Sequence, residues 1–481
     1  MAHGPSILPE EIGSPQPVDA LLRPLRRFMR FEAAGGVLLL LSSVVAMVWA
    51  NSMFGHGYHQ LWHETNLSFK IADFGIAWSL GHWINDLLMA IFFLVVGMEI
   101  KRELLVGELA SVRRAAVPIF AAIGGMVVPA AIYAAFTWGK PEIRGWGVPM
   151  ATDIAFALGA LAILGSRVPF GLRVFLASLA IIDDLGALLV IAIFYTEDLQ
   201  FTYLGAAGGV VLILIAHNAL GVRKAHAYFL WGIVLWYLVY KSGVHATIAG
   251  VMLAATIPAR TRIDGQGFTL GVRSLTDEFV RAGDHDSDVV TNTEQQGVIK
   301  TMEIYCERAQ TPLQRLEYGL LPWVSFFIVP IFALANAGVV IGGGGHADPA
   351  AADAAAAIDP AGATSQGIMA MLTEPKSLGI IGGLVVGKPV GIFLATWLAV
   401  RLGIGVLPRG VTWRHLLGAG FLGGIGFTMS LFIAALAFPD PEQLNIAKAA
   451  VLVASILAGV GGFAILMTGK KVAQSENENG H

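Results

Sequence analysis

The sequence predicts an all-α polytopic membrane protein, and three observations carry that prediction. The 481 residues are 56% hydrophobic and only 14% charged, with a mean hydropathy of +0.68, whereas a soluble domain carries about 25% charged residues. Apolar runs long enough to cross a bilayer as helices recur along the whole chain. Lys and Arg gather in every second connection between those runs, as the positive-inside rule requires of a multi-pass protein.

The apolar runs place about twelve spans, near 31–51, 80–103, 115–138, 142–165, 170–195, 202–220, 226–240, 243–258, 316–341, 377–402, 413–437 and 444–469. The seventh and eighth are short for full crossings. Arg23 to Arg30, Lys101 with Arg102 and Arg113 with Arg114, Arg167 and Arg173, Arg223 and Lys224, Arg260 and Arg262, Arg401 to Arg414, and Lys470 with Lys471 all fall on one side. That side is the cytoplasm, so both termini, the tails 1–30 and 470–481, are expected there. Residues 1–30 lack the apolar core of a signal peptide, and the first span is expected to act as the insertion signal. A net charge of −3 gives no reason to expect nucleic-acid binding, and the single Cys306 rules out an intramolecular disulfide framework.

Three connections stand out. Residues 261–314, with Asp284, Asp286 and Asp288, form a polar cytoplasmic insertion expected to be a mobile or partly helical loop. Residues 342–372 read as a flexible outer loop. Residues 66–78, also on the outer side, alternate like two short strands turning about Asp73 to Gly75. An exposed edge there could pair with a second copy, so a homodimer through this hairpin is expected.

Polar residues inside the spans carry the functional signal. Asp183 and Asp184 lie in the middle of the run from Phe175 to Phe194, where one Asp costs roughly 2.5–3.5 kcal/mol on insertion scales. Neighbours on a helix point in different directions. One can face a wet cavity while the other meets a basic group; a purely structural carboxylate pair is the alternative. Lys388, deep in the tenth span, is too far from either end to snorkel and is the natural partner for a buried aspartate. A helix-end position is its alternative.

In the fourth span, Pro149 and nearby glycines weaken the helix just before Thr152 and Asp153. This is either an ion site at a helix interruption or a loop ending in an Asp N-cap. Gly424 and Gly426, followed by Thr428 and Ser430, suggest a second interruption in the eleventh span, with tight helix packing as the alternative. Each interrupted span is the second of a triplet, three to five or ten to twelve. The charge topology makes the triplets opposite in sense, hence inverted repeats whose broken helices cross at the midplane, as in secondary transporters.

Ala151-Thr-Asp-Ile-Ala-Phe-Ala-Leu-Gly, Ala180-Ile-Ile-Asp-Asp-Leu-Gly-Ala, Lys241-Ser-Gly-Val-His-Ala-Thr, Gly387-Lys-Pro-Val-Gly and Gly424-Ile-Gly-Phe-Thr-Met-Ser-Leu-Phe-Ile-Ala occur in that order. Together they closely resemble the NhaA-type bacterial sodium/proton antiporters over nearly all of 20–470, apart from the insertion and the outer loop. NhaA-type proteins are themselves type cases of the inverted-repeat rule, so this agreement is not independent support. The resemblance implies that Asp183 and Asp184 carry sodium and protons, with Thr152 and Asp153 at the helix crossing and Lys388 paired to Asp183 when sodium is absent. It implies a transporter domain over 31–469, in which core spans 115–195 and 377–469 move against interface spans 31–103 and 202–341. It also implies a pH-responsive cluster at the cytoplasmic funnel, matched here by Glu99, Arg102, Glu103, Glu317 and His245. From the residues alone, Glu99 to Glu103 is equally a solvated helix end with an i,i+3 ion pair. Tyr318 stands where the best-known pattern has a His.

The resulting expectation is an electrogenic Na+ (or Li+)/H+ antiporter of the bacterial inner membrane. It would be pH-regulated, maintain cell pH and sodium, and need no cofactor beyond the transported ions. A sodium-coupled solute symporter and a passive cation channel are the competing classes. No nucleophile–base set, metal cluster or phosphate loop suggests an enzyme.

Overall fold

The computed structural model describes residues 34–71, 74–196, 198–261, 263–283, 289–340 and 369–468. Arg23 to Arg30, Arg262, the acidic trio Asp284, Asp286 and Asp288, most of the outer loop, and Lys470 and Lys471 lie outside them. The apolar runs fold as helices: α1 (Ala34–Ala50), α2 (Leu80–Val106), α3 (Val112–Thr137), α4 (Ile154–Leu164), α5 (Phe170–Phe194), α6 (Phe201–Ala219), α7 (Ala225–Lys241) and α8 (Ile248–Thr256). Further on come α9 (Gly265–Ala282), α10 (Thr293–Ala309), α11 (Pro312–Asn336), α12 (Pro375–Arg401), α13 (Trp413–Gly423), α14 (Phe427–Ala437) and α15 (Pro441–Met467).

Among the described residues, eight helices are long and apolar enough to cross a membrane, or nine if the bent pair α13 and α14 is one span. The chain is an all-α polytopic membrane protein. Helix α8 has only 9 residues and rises roughly 14 Å, about half of a ~30 Å hydrocarbon layer. The run expected at 243–258 is therefore a turn at 242–247 followed by a half-length helix.

Two glycines set one close helix approach. A Cβ on Gly391 of α12 would strike the Gly124 carbonyl of α3, and one on Gly124 would strike the Gly391 carbonyl. Small residues facing each other let backbones touch where lipid offers no hydrophobic drive to association. A π-helical turn at Gly383–Gly387 immediately precedes Lys388 in α12; such turns re-aim the side chains that follow them and recur at functional sites.

Outside the spans, the hairpin forms as the alternation suggested. Strands β1 (Asn66–Ile71) and β2 (Phe74–Ser79) pair antiparallel, with Asn66 opposite Ser79 and Ile71 opposite Phe74. Trp78 anchors it by donating through Nε1 to the Tyr240 hydroxyl of α7 at 3.2 Å. The 261–314 insertion, expected as a mobile or partly helical loop, is largely helical where described: a hairpin of α9 and α10. Asp264 and Asn292 cap the two helices, and Phe268 stacks on Tyr305 with centroids 6.4 Å apart.

Candidate ion site

The fourth span does not begin as an α-helix. Residues Pro141–Met150 form a 3-10 helix, residues 151–153 are extended, and α4 starts with Asp153 as its N-cap, accepting from the Phe156 amide at 3.1 Å. The segment is thus both interrupted inside the protein and capped by Asp153. The eleventh span breaks at Gly424–Gly426, with 44° between α13 and α14. A Cβ on Gly424 would collide with the Leu384 carbonyl, so glycine is required there.

The two interruptions meet and satisfy each other. The Asp153 amide donates to the Ile425 carbonyl at 2.7 Å. The Thr428 amide and hydroxyl donate to Asp153 Oδ2 at 3.1 and 2.5 Å, and the Ser430 hydroxyl donates to the Val148 carbonyl at 2.7 Å. The Phe427 amide donates to the Ser455 hydroxyl of α15 at 3.1 Å. Irregular backbone at membrane depth is stable only with such partners. Thr428, Ser430 and Ser455 are the site residues that sequence reasoning left out of its set. The hydroxyls just beyond Gly426 were the available signal for the first two, and nothing pointed to Ser455.

Asp183 and Asp184, adjacent on α5 and both buried, have opposite surroundings. Asp183 Oδ2 lies 2.5 Å from Lys388 Nζ and 2.6 Å from Thr152 Oγ1. The Lys388 ammonium also donates to the Met150 carbonyl, freed by the break. Thr152 Oγ1 is 2.8 Å from the Gly423 carbonyl as well, and its single proton serves one acceptor at a time. Neither oxygen of Asp184 has a hydrogen-bond partner, nor does Asp183 Oδ1. A buried ionised carboxylate without partners is prohibitively costly, so these oxygens demand a proton or a cation. Carboxylate, hydroxyl and carbonyl oxygens are the ligands a hard cation takes.

A second acidic cluster surrounds Arg102 near the C-terminal end of α2. Its Nη2 lies 3.8 Å from Glu99 and 3.6 Å from Glu103, and its Nε 3.1 Å from Glu317 of α11. Beside it a cavity of about 490 Å³ is lined by Arg102, Arg260, Thr311 and Gln314 among others. His245 does not join this cluster, a correction to the grouping made from sequence. Its Nε2 is 2.7 Å from the Tyr195 carbonyl, just past the opposite end of α5. The reason is topological: the 242–247 turn follows α7 and precedes α8, so it closes against the end of α5 that leaves the Asp pair behind.

Fold and site together define a polytopic membrane carrier of the broken-helix type. The sequence matches the family described as Na+/H+ antiporter 1 over residues 26–361 and 349–466. It is 49% identical over 453 residues to a protein named Na(+)/H(+) antiporter NhaA from Oleidesulfovibrio alaskensis, covering 94% of this chain and 95% of that one. It is 46% identical over 439 residues to one of the same name from Wolinella succinogenes (91% and 92% covered) and 44% identical over 446 residues to one from Helicobacter pylori strain G27 (92% and 95%). The chain belongs to the Na+/H+ antiporter 1 family, whose members are secondary transporters rather than enzymes.

Proposed function

We propose that this protein exports Na+ (or Li+) in exchange for protons, with both ions competing for Asp183 and Asp184. The observation that carries this reading is the Asp184 carboxylate, wholly buried with both oxygens unpartnered, beside an Asp183 held by Lys388. In the sodium-free state Lys388 neutralises Asp183 and Asp184 carries a proton. Sodium arriving at the pair displaces the proton from Asp184 and draws Asp183 away from Lys388, so that the second proton, held by the Lys388–Asp183 pair, leaves as well, while Asp153 and Thr152 hold the crossing around it. Two titratable groups exchanging with one monovalent cation make the cycle electrogenic, whether the second proton resides on Asp183 or on Lys388.

Alternating access follows from two bodies. Spans 115–195 and 377–469, built as inverted repeats, carry the site, and spans 31–103 and 202–341 form the frame they move against. Glu99, Arg102, Glu103 and Glu317 would tune activity to cytoplasmic pH, with His245 a separate candidate on the outer side. The protein would reside in the bacterial inner membrane with both termini cytoplasmic, as a homodimer through the 66–79 hairpin, and would maintain internal pH and sodium. A solute symporter would need a large cavity at the carboxylates; the cavity of about 490 Å³ lies instead at Arg102.

The test is transport in proteoliposomes at several pH values. Sodium should collapse an imposed pH gradient in the wild type. Asp184→Asn should abolish that response, and Lys388→Ala should impair it and shift its pH range. Unimpaired exchange in Asp184→Asn would overturn the assigned site.

A further inference from the structure

At one end of the bundle, the runs 165–175, 399–418 and 460–468 hold Arg167, Arg173, Arg401, Arg409 and Arg414 and not one Asp or Glu. All three runs belong to the body assigned to carry the ion site. Arg167 Nη1 donates to the Met467 carbonyl at 3.2 Å, and Arg414 Nη2 donates to the Thr468 hydroxyl. Two guanidiniums from different elements therefore meet at the C-terminus of α15. The turn 408–411 is closed by the Val411 amide on the Pro408 carbonyl, with Gly410 at φ +75°. It lies against the start of α5: a Cβ on Gly171 would come within 2.9 Å of the Arg409 carbonyl, so glycine permits the approach. Arg173 donates to the Gly165 carbonyl at 3.0 Å.

The cations of the other body are matched within the protein. Arg102 is shared among three carboxylates, Arg315 lies 2.7 Å from Glu307, and Lys101 donates to the Ala255 and Ile257 carbonyls. Arg114, at the start of α3, lies 3.5 Å from Glu108. Arg167, Arg401, Arg409 and Arg414, by contrast, form no ion pair among the described residues. The negative end of the α15 dipole accounts for one contact each from Arg167 and Arg414, but a guanidinium carries five N–H donors. Arg401, Arg409 and Arg414 are exposed. So are the apolar Phe170, Leu402 and Val406 in the same turns, and Trp413 packs on Phe393 with ring centroids 5.5 Å apart. Apolar and aromatic side chains interleaved with cations mark the level of lipid headgroups.

We propose that this face is a docking surface for anionic phospholipid headgroups of the cytoplasmic leaflet, whose phosphates bridge Arg167, Arg409 and Arg414. Planar guanidinium forks match phosphate oxygens, and a negatively charged leaflet attracts basic groups beside the membrane. Phe170, Leu402 and Val406 favour a lipid over a soluble anion, because they need hydrocarbon on the same side. Membrane charge then acts on one body of the two: it holds the ion-carrying body at the leaflet, while the other body has its charges satisfied internally. The inference rests on the proposed topology and two-body arrangement, and is independent of which residues carry sodium.

The test follows the melting temperature of the purified protein in micelles while phosphatidylglycerol, phosphatidylcholine or inorganic phosphate is added. Phosphatidylglycerol should protect the wild type saturably, and the other two should not. A basic group beside an anionic surface contributes about a fivefold factor in binding. Arg409→Gln with Arg414→Gln should therefore raise the half-protecting concentration roughly 25-fold. Arg401→Gln with Arg409→Gln, which spares the Thr468 contact, should shift it in the same direction even if the first variant folds poorly. Arg114→Gln should leave it unchanged. Asp184→Asn should be protected as well as the wild type, which separates a failure of this surface from a failure of the ion site. Equal protection by phosphatidylcholine or by phosphate, an unchanged half-protecting concentration in the double variants, or an equal shift in Arg114→Gln would overturn the proposal.

Discussion

Two clusters in this protein share a composition and differ in wiring. The central one sets Asp183 against Lys388 with Asp184 next to it and Asp153 at the helix crossing; the one near the C-terminal end of α2 sets Glu99, Glu103 and Glu317 around Arg102. Arg102 spreads its planar fork over all three acids, at 3.1 to 3.8 Å, with its side chain 28% exposed. Lys388, a point charge with no exposure, reaches one acid, Asp183, and spends a further hydrogen bond on the Met150 carbonyl. Asp153 takes hydroxyl and amide donors instead, and Asp184 takes none. A shared, half-wet arginine makes a buffered group whose members compensate for one another. A dry lysine committed to a single acid leaves the neighbouring carboxylate without a protein partner.

The largest effect should come from removing the Asp184 carboxylate. Asp184→Asn is expected to abolish sodium-driven collapse of a pH gradient and also to abolish protection of the folded protein by sodium against heat. Asp183→Asn should do the same and in addition lower stability, because it strands the Lys388 ammonium; breaking a buried pair from one side costs about 3–5 kcal/mol, measurable as a drop in melting temperature in detergent. Either variant retaining exchange would erase the distinction between the two clusters.

Arg102→Lys should act more mildly and in another way. Lysine cannot fork to three acids, so the pH range of activity should shift while the maximal rate falls only a few-fold. A loss as deep as that of Asp184→Asn would place Arg102 in the transport chemistry itself. Thr428→Val, nearly isosteric, should cost about 1–3 kcal/mol of stability by leaving Asp153 with the Thr428 amide but without its hydroxyl. An unchanged melting temperature would mean that the hydroxyl does not hold the two interruptions together.

The smallest effect concerns His63, in the π-helical turn Gln60–Glu64 before the hairpin. Its pKa is pushed down from 6.5 to about 4, chiefly by shielding from water and then by the nearby Lys448 and His59. The unfolded chain binds this proton more readily than the native one, so native stability is intact above 6.5 and declines as pH falls from 6.5 toward 4. His63→Gln should flatten that part of a melting-temperature profile against pH, and an unaltered slope there would assign the loss to other groups.

The parts of this account legible in the sequence are those in which a residue violates its surroundings. Paired aspartates and a lysine in apolar runs, and Pro149 or Gly424 inside helical ones, each carry a local cost that needs a local reason. The helix breaks and a pairing of Lys388 with one of the buried aspartates were readable on those terms; the choice of Asp183 came from the family resemblance, and the hairpin came from alternation, without its register. Less readable were features in which nothing local is violated. Ser455 reaches the Phe427 amide across a helix contact that spacing does not encode. His245 was grouped by motif order, which says nothing about which end of the bundle a turn closes. The insertion read as a loop because its overall polarity masked the apolar face through Phe268, Val272, Leu275 and Phe279 of α9, which has no buried residue of its own.

Proton release on sodium binding is the most direct test of the competition at Asp183 and Asp184. When NaCl is added to the purified protein in weakly buffered detergent solution, the wild type should acidify the medium saturably. Choline chloride should not, and the Asp183→Asn, Asp184→Asn double variant should be silent. Sodium binding seen by calorimetry with no proton released at any pH in the working range would contradict the account.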